Sequence, residues 1–439
     1  MQLAHLGSTD TAGRVLTTDP PPQTPKLHAG DPMDSPPIPD ELLLEIFLRI
    51  PAPADIVRAS VACVSFRRLI ADRSFLRRFR RLHVPPFLGF LDHHRLFHPV
   101  IASHPSAPAA NAVARSADFS FGFLPGGASE WGVQDVRDGR VLLDRPSREK
   151  YADAGFRVIF KEMVVCDPLH RRYLRLPPIP DDLAGLVEDL FMLSPMRWRD
   201  TFLVPPVEDG DEAAAVEGTS FRVIWMAHCE LEFFAFVFSS GTGQWRDVPS
   251  QSLSDLSSGL LGPAWTRLFG WRQFAYGCFY WMMESKEGMK MLVLDTARLE
   301  FSILEPPPEA IGAHIPNMTP EANGTFIPNM TVVETGEGMT GLFMLACGTS
   351  KLRYSIRRYN SGSSSQWQNE KTISLAPRYS LISSSGSYLF LYHHGSSTHD
   401  PGYFTLDIET FQLQKVCDVD IYEPHLYGNF PPSLSSPTI

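Results

Sequence analysis

The pattern of apolar and polar positions divides the chain at about residue 83. Residues 35–83 repeat apolar side chains at helical spacing, whereas residues 84–439 alternate short apolar runs with Gly, Ser and Pro, which is typical of strands and turns. Within the second region only DDLAGLVEDLFML (181–193) has the periodicity of a helix. We therefore expect an α+β multidomain chain, with a small unit of three or four helices followed by an all-β domain.

The first predicted helix is apolar on nearly all sides. Between Glu41 and Ile50 only Glu41, Glu45 and Arg49 are polar, and their spacing of four places them on one narrow stripe. A unit of about 50 residues is at the edge of independent stability and has too few helices to cover the rest. We therefore expect the unit to leave an apolar patch uncovered. The β domain, a second copy of the chain or a different protein could cover this patch.

The limits of the helices are predicted from proline and capping residues. Pro51 and Pro53 are expected to end the first helix, because proline blocks its continuation. Asp55 is expected to start the next helix, and Asp72 or Ser74 to cap the last one.

A loose repeat extends through residues 84–439. Its first element is an apolar strand, a polar turn and a second strand, and its other element is Gly followed by an apolar strand. The first element occurs at VVCDPLHRRYLRLPP (164–178), FVFSSGTGQWRDVP (236–249), LVLDTARLEFSILEPP (292–307), IRRYNSGSSSQWQNE (356–370) and FTLDIETFQLQKV (404–416). The second begins at Gly139, Gly277, Gly341 and Gly386. Five units at spacings of about 50–70 residues predict a β-propeller, with 84–135 supplying a further blade and about six in total. The alternative is an irregular pair of β-sandwiches.

Composition narrows the possible partners and the compartment. The net charge of −10 argues against a nucleic-acid binder, although residues 35–83 carry nine Arg and only five acidic residues. No secretory signal and no run of 18 apolar residues is present, and the six Cys are far apart, so we expect no membrane partner, free thiols, and a location in the cytoplasm and/or nucleus. Residues 1–34, rich in Pro, Thr and Asp, are expected to be a disordered tail.

Residues 38–79, IPDELLLEIFLRIPAPADIVRASVACVSFRRLIADRSFLRRF, resemble the F-box motif over its full length. The family pattern opens with Leu-Pro-x-Glu, which corresponds to Ile38–Glu41 here, and it closes on a segment that corresponds to Cys63–Ile70. Phe66 stands where the family usually has Trp, and Val64 and Ser65 stand in place of its basic pair. The overall layout also resembles plant F-box proteins with a C-terminal F-box-associated or kelch-like β domain.

The resemblance implies a domain plan and a function. The plan is a tail at 1–34, an F-box helical domain at 35–83 and a propeller-like substrate-binding domain at 84–439. The function is that of the substrate-recognition subunit of a Skp–cullin–F-box ubiquitin ligase, in which the F-box docks a Skp-type linker and, through it, a cullin. The β domain would bind a protein substrate whose contact residues the sequence does not identify. The implied linker contacts are Ile38, Pro39, Leu42, Ile46, Ile50, Pro51, Ile56, Val57, Val61, Phe66, Leu69 and Ile70.

Two other functions are kept as alternatives. The departures at Phe66 and Val64 leave room for an F-box protein that regulates by binding without ubiquitin transfer, and a propeller enzyme is a further possibility. GEGMTG at 336–341 matches a GxGxxG pattern, but a predicted strand follows it, so we expect a hairpin turn and no cofactor. The adjacent pairs at 93–94 and 393–394 lack the spacing of metal ligands. We expect no enzyme activity, catalytic residue or metal.

The basic run from Arg67 to Arg81 is interpreted as a solvated helix face. Electrostatic assistance in docking and contact with nucleic acid are its alternatives.

Overall fold

The computed structural model describes residues 38–50, 53–83, 86–146, 161–193, 197–205, 220–229, 232–252, 267–285, 288–308, 330–335, 339–345, 350–358, 366–396, 400–421 and 423–428. The expected tail at 1–34 lies outside these residues. Cα proximity groups the chain into two compact units, with the division between Arg78 and Phe79. The domain limits implied by the sequence stay a prediction.

The first unit is helical. Its helices are α1 (Asp40–Leu48), α2 (Pro53–Ala62), α3 (Val64–Ile70) and α4 (Arg73–Leu82), the last of which crosses the division between the units. Helix α2 begins at Pro53, two residues before the predicted start at Asp55, because proline lacks only an N–H that the first turn leaves unused. The cap predicted for the last helix is Asp72, whose Oδ1 accepts hydrogen bonds from the backbone N–H groups of Ser74 (2.8 Å) and Phe75 (3.3 Å).

Six antiparallel sheets make up the described part of the second unit, and they form a six-bladed β-propeller. Blades 2 to 6 are four-stranded meanders in chain order, and blade 1 has the strand order β2-β1-β23. The strands are β1 (Phe87–Leu91), β2 (Phe97–Pro99), β3 (Gly132–Arg137), β4 (Arg140–Pro146), β5 (Lys161–Asp167), β6 (Arg172–Arg175), β7 (Arg197–Val204), β8 (Arg222–Cys229), β9 (Glu232–Ser239), β10 (Gln244–Ser252), β11 (Arg267–Ala275), β12 (Cys278–Ser285), β13 (Gly288–Asp295), β14 (Glu300–Leu304), β15 (Met330–Glu334), β16 (Thr340–Leu345), β17 (Lys351–Arg358), β18 (Gln366–Ser374), β19 (Tyr379–Ser385), β20 (Tyr388–His393), β21 (Gly402–Asp407), β22 (Leu413–Cys417) and β23 (His425–Gly428).

In the described part of the second unit, two α-helices accompany these sheets. Helix α5 (Ala107–Ser116) follows blade 1, and α6 (Asp181–Leu193) follows blade 2 at the position predicted from periodicity. Among the described residues, no helix is long and apolar enough to span a lipid bilayer.

The sequence repeat corresponds to the blades. All five copies of its first element form the hairpin between the third and fourth strands of blades 2 to 6. Three of these hairpins turn on an aspartate that accepts backbone hydrogen bonds from residues two and three positions later, namely Asp167, Asp295 and Asp407. Gly139 and Gly277 occupy tight turns at φ of +72°, where the absence of a Cβ removes the steric penalty, whereas Gly341 lies inside strand β16.

The innermost strands of the blades, which are the first strand in blades 2 to 6 and β23 in blade 1, surround the central axis. Strand β3 packs against β23 and β7, and β15 packs against β11 and β19, so these strands line the middle of the propeller. Large apolar cores lie between neighbouring blades. One of them, between blades 3 and 4, contains Phe202 on β7, Phe233 on β9 and Trp281 on β12. Polar side chains of the inner strands, among them Asp135, Asp200 and Arg272, meet around this axis, and we call the region that they line the central channel.

Candidate functional site

The helical unit buries one side of α1 and exposes another. Phe47 and Leu48 are buried, and the Phe47 ring packs edge-on against Phe66 on α3 and Phe75 on α4, at centroid distances of 5.0 and 6.4 Å. Phe66 therefore helps to hold α1 in place. Sequence periodicity predicted an α1 that its own unit could not fully cover, and the exposed side chains show this directly.

An apolar surface remains open on this unit. Leu42 and Ile46 lie one turn apart on α1 and are 56% and 51% exposed, and Ile38, just before the helix, is 54% exposed. At the junction of α2 and α3, Val61 and Val64 are 68% and 83% exposed. We call these five residues the open apolar surface. Large apolar side chains at such exposure are unfavourable in water unless a partner covers them.

The twelve linker contacts implied by the sequence separate by burial. Five of them are exposed, namely Ile38, Pro39, Leu42, Ile46 and Val61. Ile50 and Phe66 are partly buried, and Ile56, Leu69 and Ile70 are buried. Pro51 lies outside the described residues, as does the side chain of Val57. Val64 was noted in the sequence only as a lost basic residue, and its exposure makes it part of the open apolar surface.

Ion pairs hold α1 against the following helices. Arg68 on α3 contacts Asp40 at 2.8 Å, and Arg78 on α4 contacts Glu45 at 2.6 Å. All four side chains are about half exposed or more, so each pair contributes about 0–1 kcal/mol. Arg68 and Arg78, which belong to the basic run, thus contact both solvent and helix α1, on which Leu42 and Ile46 lie.

The propeller's central channel contains a network of charges. Arg272 on β11 pairs with Asp135 on β3 (2.7 Å) and with Asp200 on β7 (2.5 Å), which links three blades. Asp135 also accepts a hydrogen bond from the backbone N–H of Leu203 at 2.8 Å. Burial lowers the pKa of Arg272, but the two carboxylates raise it, and the net shift is upward. The network therefore connects blades 2, 3 and 4 near the central axis.

Other contacts brace neighbouring blades around the same axis. The side chain of Gln273 on β11 donates to the carbonyl of Met330 and accepts from the N–H of Val332, both on β15. The Tyr427 hydroxyl on β23 donates to the carbonyl of Gly139 at 3.2 Å. Among the described residues, no group of three or more His, Cys, Asp or Glu is arranged to hold a metal ion.

Comparison with known proteins identifies the class of the first unit. Residues 37–82 match the family model described as F-box-like. The chain therefore has a small N-terminal F-box-like helical unit followed by a six-bladed all-β propeller. No curated protein matches the sequence.

Several solved structures resemble this chain with low sequence identity and low TM-score. An exo-beta-1,3-galactanase from Clostridium thermocellum is 11% identical with a TM-score of 0.31, over 68% of this chain and 64% of its own. A puromycin hydrolase mutant is 11% identical with a TM-score of 0.33, over 71% and 42%. The propeller domain of the Trilobed protease from Pyrococcus furiosus is 10% identical with a TM-score of 0.31, over 65% and 70%. The chain thus spans less than two thirds of the first two proteins, and similarities at these scores carry no argument about function.

Proposed function

We propose that this protein is the substrate-recognition subunit of a Skp–cullin–F-box ubiquitin ligase, acting in the cytoplasm or nucleus. The open apolar surface docks a Skp-type linker, which connects the chain to a cullin, and the propeller, of F-box-associated or kelch-like type, binds a protein substrate. Its contribution is binding rather than catalysis, because a receptor of this kind acts by raising the concentration of substrate near the ubiquitin-charged enzyme.

The observation that carries the proposal is the open apolar surface in a unit that matches the F-box-like family. Ile38, Leu42 and Ile46 form a continuous stripe along α1, and Val61 and Val64 add a second contact at the next helix junction. Interfaces of this kind depend on a few large side chains that become fully desolvated on binding. Since Ile56, Leu69 and Ile70 are buried, we assign them to supporting the surface from beneath.

The proposal is tested by pull-down of a Skp-type linker with the full chain carrying Leu42→Asp or Ile46→Asp. Each change introduces a charge that the interface would have to desolvate, so we expect binding to fall by about 30-fold or more. Because both side chains are more than half exposed, circular dichroism and the Tm of each variant should match those of the parent.

Leu96→Asp is the matched control. Leu96 is 59% exposed but lies in the β1–β2 loop of the propeller, so the same substitution there should leave linker binding unchanged. Unchanged binding in both α1 variants would refute the docking proposal. Reconstituted ubiquitin transfer to a captured substrate then separates a ligase subunit from a regulator that docks the linker without transfer.

A further inference from the structure

A second arginine lies in the central channel, and its surroundings differ from those of Arg272. Arg137 is the last residue of β3 in blade 2, and its guanidinium reaches blade 4, where Cζ lies 4.6 Å from the ring centroid of Phe274 and 5.3 Å from that of Phe279. Blade 3 lies between blades 2 and 4 in the chain order. The Arg137 side chain therefore extends across the central channel, at the level where strand β3 ends.

Arg137 stacks on these two rings but has no contact anion among the described residues. Its Nε is sealed from solvent without a hydrogen-bond partner, and within the described part of the chain no carboxylate oxygen lies within 4 Å of the guanidinium. Its two terminal nitrogens are not sealed in this way. By contrast, Arg272 also stacks on Phe202, with Cζ 4.4 Å from the centroid, but is held by two carboxylates.

The nearest acidic groups act on Arg137 only from a distance. Burial lowers the pKa of Arg137, Asp135 and Asp138 raise it, Arg272 lowers it, and Glu334 raises it, with burial the largest effect. Asp135 is engaged by Arg272 and by the Leu203 N–H. Glu334 accepts a hydrogen bond from the Tyr276 N–H at 2.8 Å. A guanidinium partly removed from water without a contact anion is costly, and a cation of this kind is a candidate for ligand binding.

We propose that Arg137 anchors a carboxylate-binding site at this end of the central channel. The terminal nitrogens present a fork that matches the two oxygens of a carboxylate, and Phe274 and Phe279 hold the fork from one side. A doubly charged phosphate fits less well, because Asp135, Asp138 and Glu334 act on Arg137 from a distance and would repel a second negative charge.

Two sources supply this chemistry: the Asp or Glu side chain of a protein segment bound by the propeller, and a free small carboxylic acid. The inference concerns the propeller alone and is independent of the linker docking proposed above. Failure of the pull-down would therefore leave it standing, and its own failure would leave the docking proposal standing.

The test uses saturation-transfer NMR on the full chain, a method suited to weak ligands. The probes are N-acetyl-glutamate α-amide, which mimics a peptide side chain, its neutral partner N-acetyl-glutamine α-amide, propionate and inorganic phosphate. We expect the glutamate probe to bind with a Kd on the order of 1 mM and the glutamine probe and phosphate to bind at least about tenfold more weakly. Propionate binding equal to that of the glutamate probe assigns a free acid, and weaker propionate binding assigns a peptide side chain.

Variants make the assignment specific. Arg137→Gln should reduce binding of the glutamate probe by about tenfold or more, whereas Arg298→Gln, an exposed arginine in the β13–β14 turn, should not change it. Because Arg137 has no ion pair to lose, Arg137→Gln should lower the Tm of the ligand-free protein much less than Arg272→Gln, which breaks two ion pairs. The proposal is overturned if no carboxylate probe binds, if phosphate binds more tightly than the glutamate probe, or if Arg137→Gln binds that probe as the parent does. It is also overturned if Arg137→Gln lowers the Tm as much as Arg272→Gln.

Discussion

His425 is a single side chain whose protonation is linked to the stability of the propeller. It lies on β23 among the charges of the central channel, and burial, the largest effect, lowers its pKa to about 4. Asp135 and Asp200 oppose this shift, while Arg272 and His93 add to it. A histidine in an unfolded chain has a pKa of about 6.5, so the unfolded state binds the proton more readily than the folded state.

We predict that the propeller loses stability as the pH falls from about 6.5 to about 4. Above the pKa of the unfolded chain, the contribution of the neutral imidazole to stability is fully present. Below that pH the unfolded chain takes up the proton first, which lowers the free energy of unfolding by about 1–3 kcal/mol. Urea denaturation at pH 7.5, 6 and 5 measures the free energy of unfolding. Between pH 7.5 and 5 this free energy should fall less for His425→Gln than for the parent. The exposed His94→Gln is the control and should retain the parent's loss; parallel profiles for His425→Gln and the parent would refute the linkage.

At the scale of the element, the hairpin turns repeat one local device. In blade 6, Oδ1 of Asp407 accepts hydrogen bonds from the N–H of Glu409 (3.0 Å), from the N–H of Thr410 (2.7 Å) and from the Thr410 hydroxyl (2.9 Å). Phe411 then adopts a φ of +58°, which returns the chain to the next strand. Burial raises the pKa of Asp407, but these hydrogen bonds lower it, and the net shift is downward.

We predict that Asp407→Ala lowers the free energy of unfolding by about 1 kcal/mol, because the turn N–H groups lose their acceptor. Asp407→Asn keeps an acceptor oxygen at the same place and should retain most of the stability at neutral pH. The urea midpoints of the two variants and the parent make the comparison. Equal midpoints for the alanine variant and the parent would show that the side-chain acceptor contributes nothing to this hairpin.

The same turns explain how much of the fold was predictable. Blades 2 to 6 were visible in the sequence because each is a local meander whose turn residues, such as Asp295 and Gly277, recur at matching places. The exposed stripe at Leu42 and Ile46 was also predictable, since a short unit cannot cover an all-apolar helix. The start of α2 at Pro53 was missed because proline both ends and begins helices, and only the capping geometry separates the two cases.

The channel charges could not be predicted in the same way. Asp135, Asp200 and Arg272 are separated by more than 60 residues along the chain, and nothing in their local sequence marks them as neighbours. Arg137 likewise appears in the sequence as an ordinary charged residue before a turn. Its significance comes from the two phenylalanine rings that blade 4 places beneath it.

At the scale of the whole molecule, the propeller is closed by joining the two ends of its chain. Strand β23 pairs antiparallel with β1, with Leu91 opposite His425, so blade 1 combines residues 87–99 with residues 425–428. Tyr427 is buried there, and its ring packs edge-on against Phe97 and Phe119 at centroid distances of 5.3 and 5.2 Å. Closure thus depends on a contact between segments more than 300 residues apart.

We predict that a chain ending at Pro424 loses the closed propeller. Removing β23 leaves the edge of β1 unpaired and uncovers Phe97 and Phe119, so the Tm should fall by about 10 °C or more and the chain should bind a dye for exposed apolar surface. Tyr427→Phe is the control, because it keeps the ring and removes only the hydroxyl bond to Gly139, at a cost of about 1 kcal/mol. Differential scanning calorimetry gives the Tm of each variant, and size-exclusion chromatography gives its elution volume. A truncated chain with the parent's Tm and elution volume would mean that the circle is held by the other inter-blade contacts, such as the Arg272 network, rather than by the C-terminal strand.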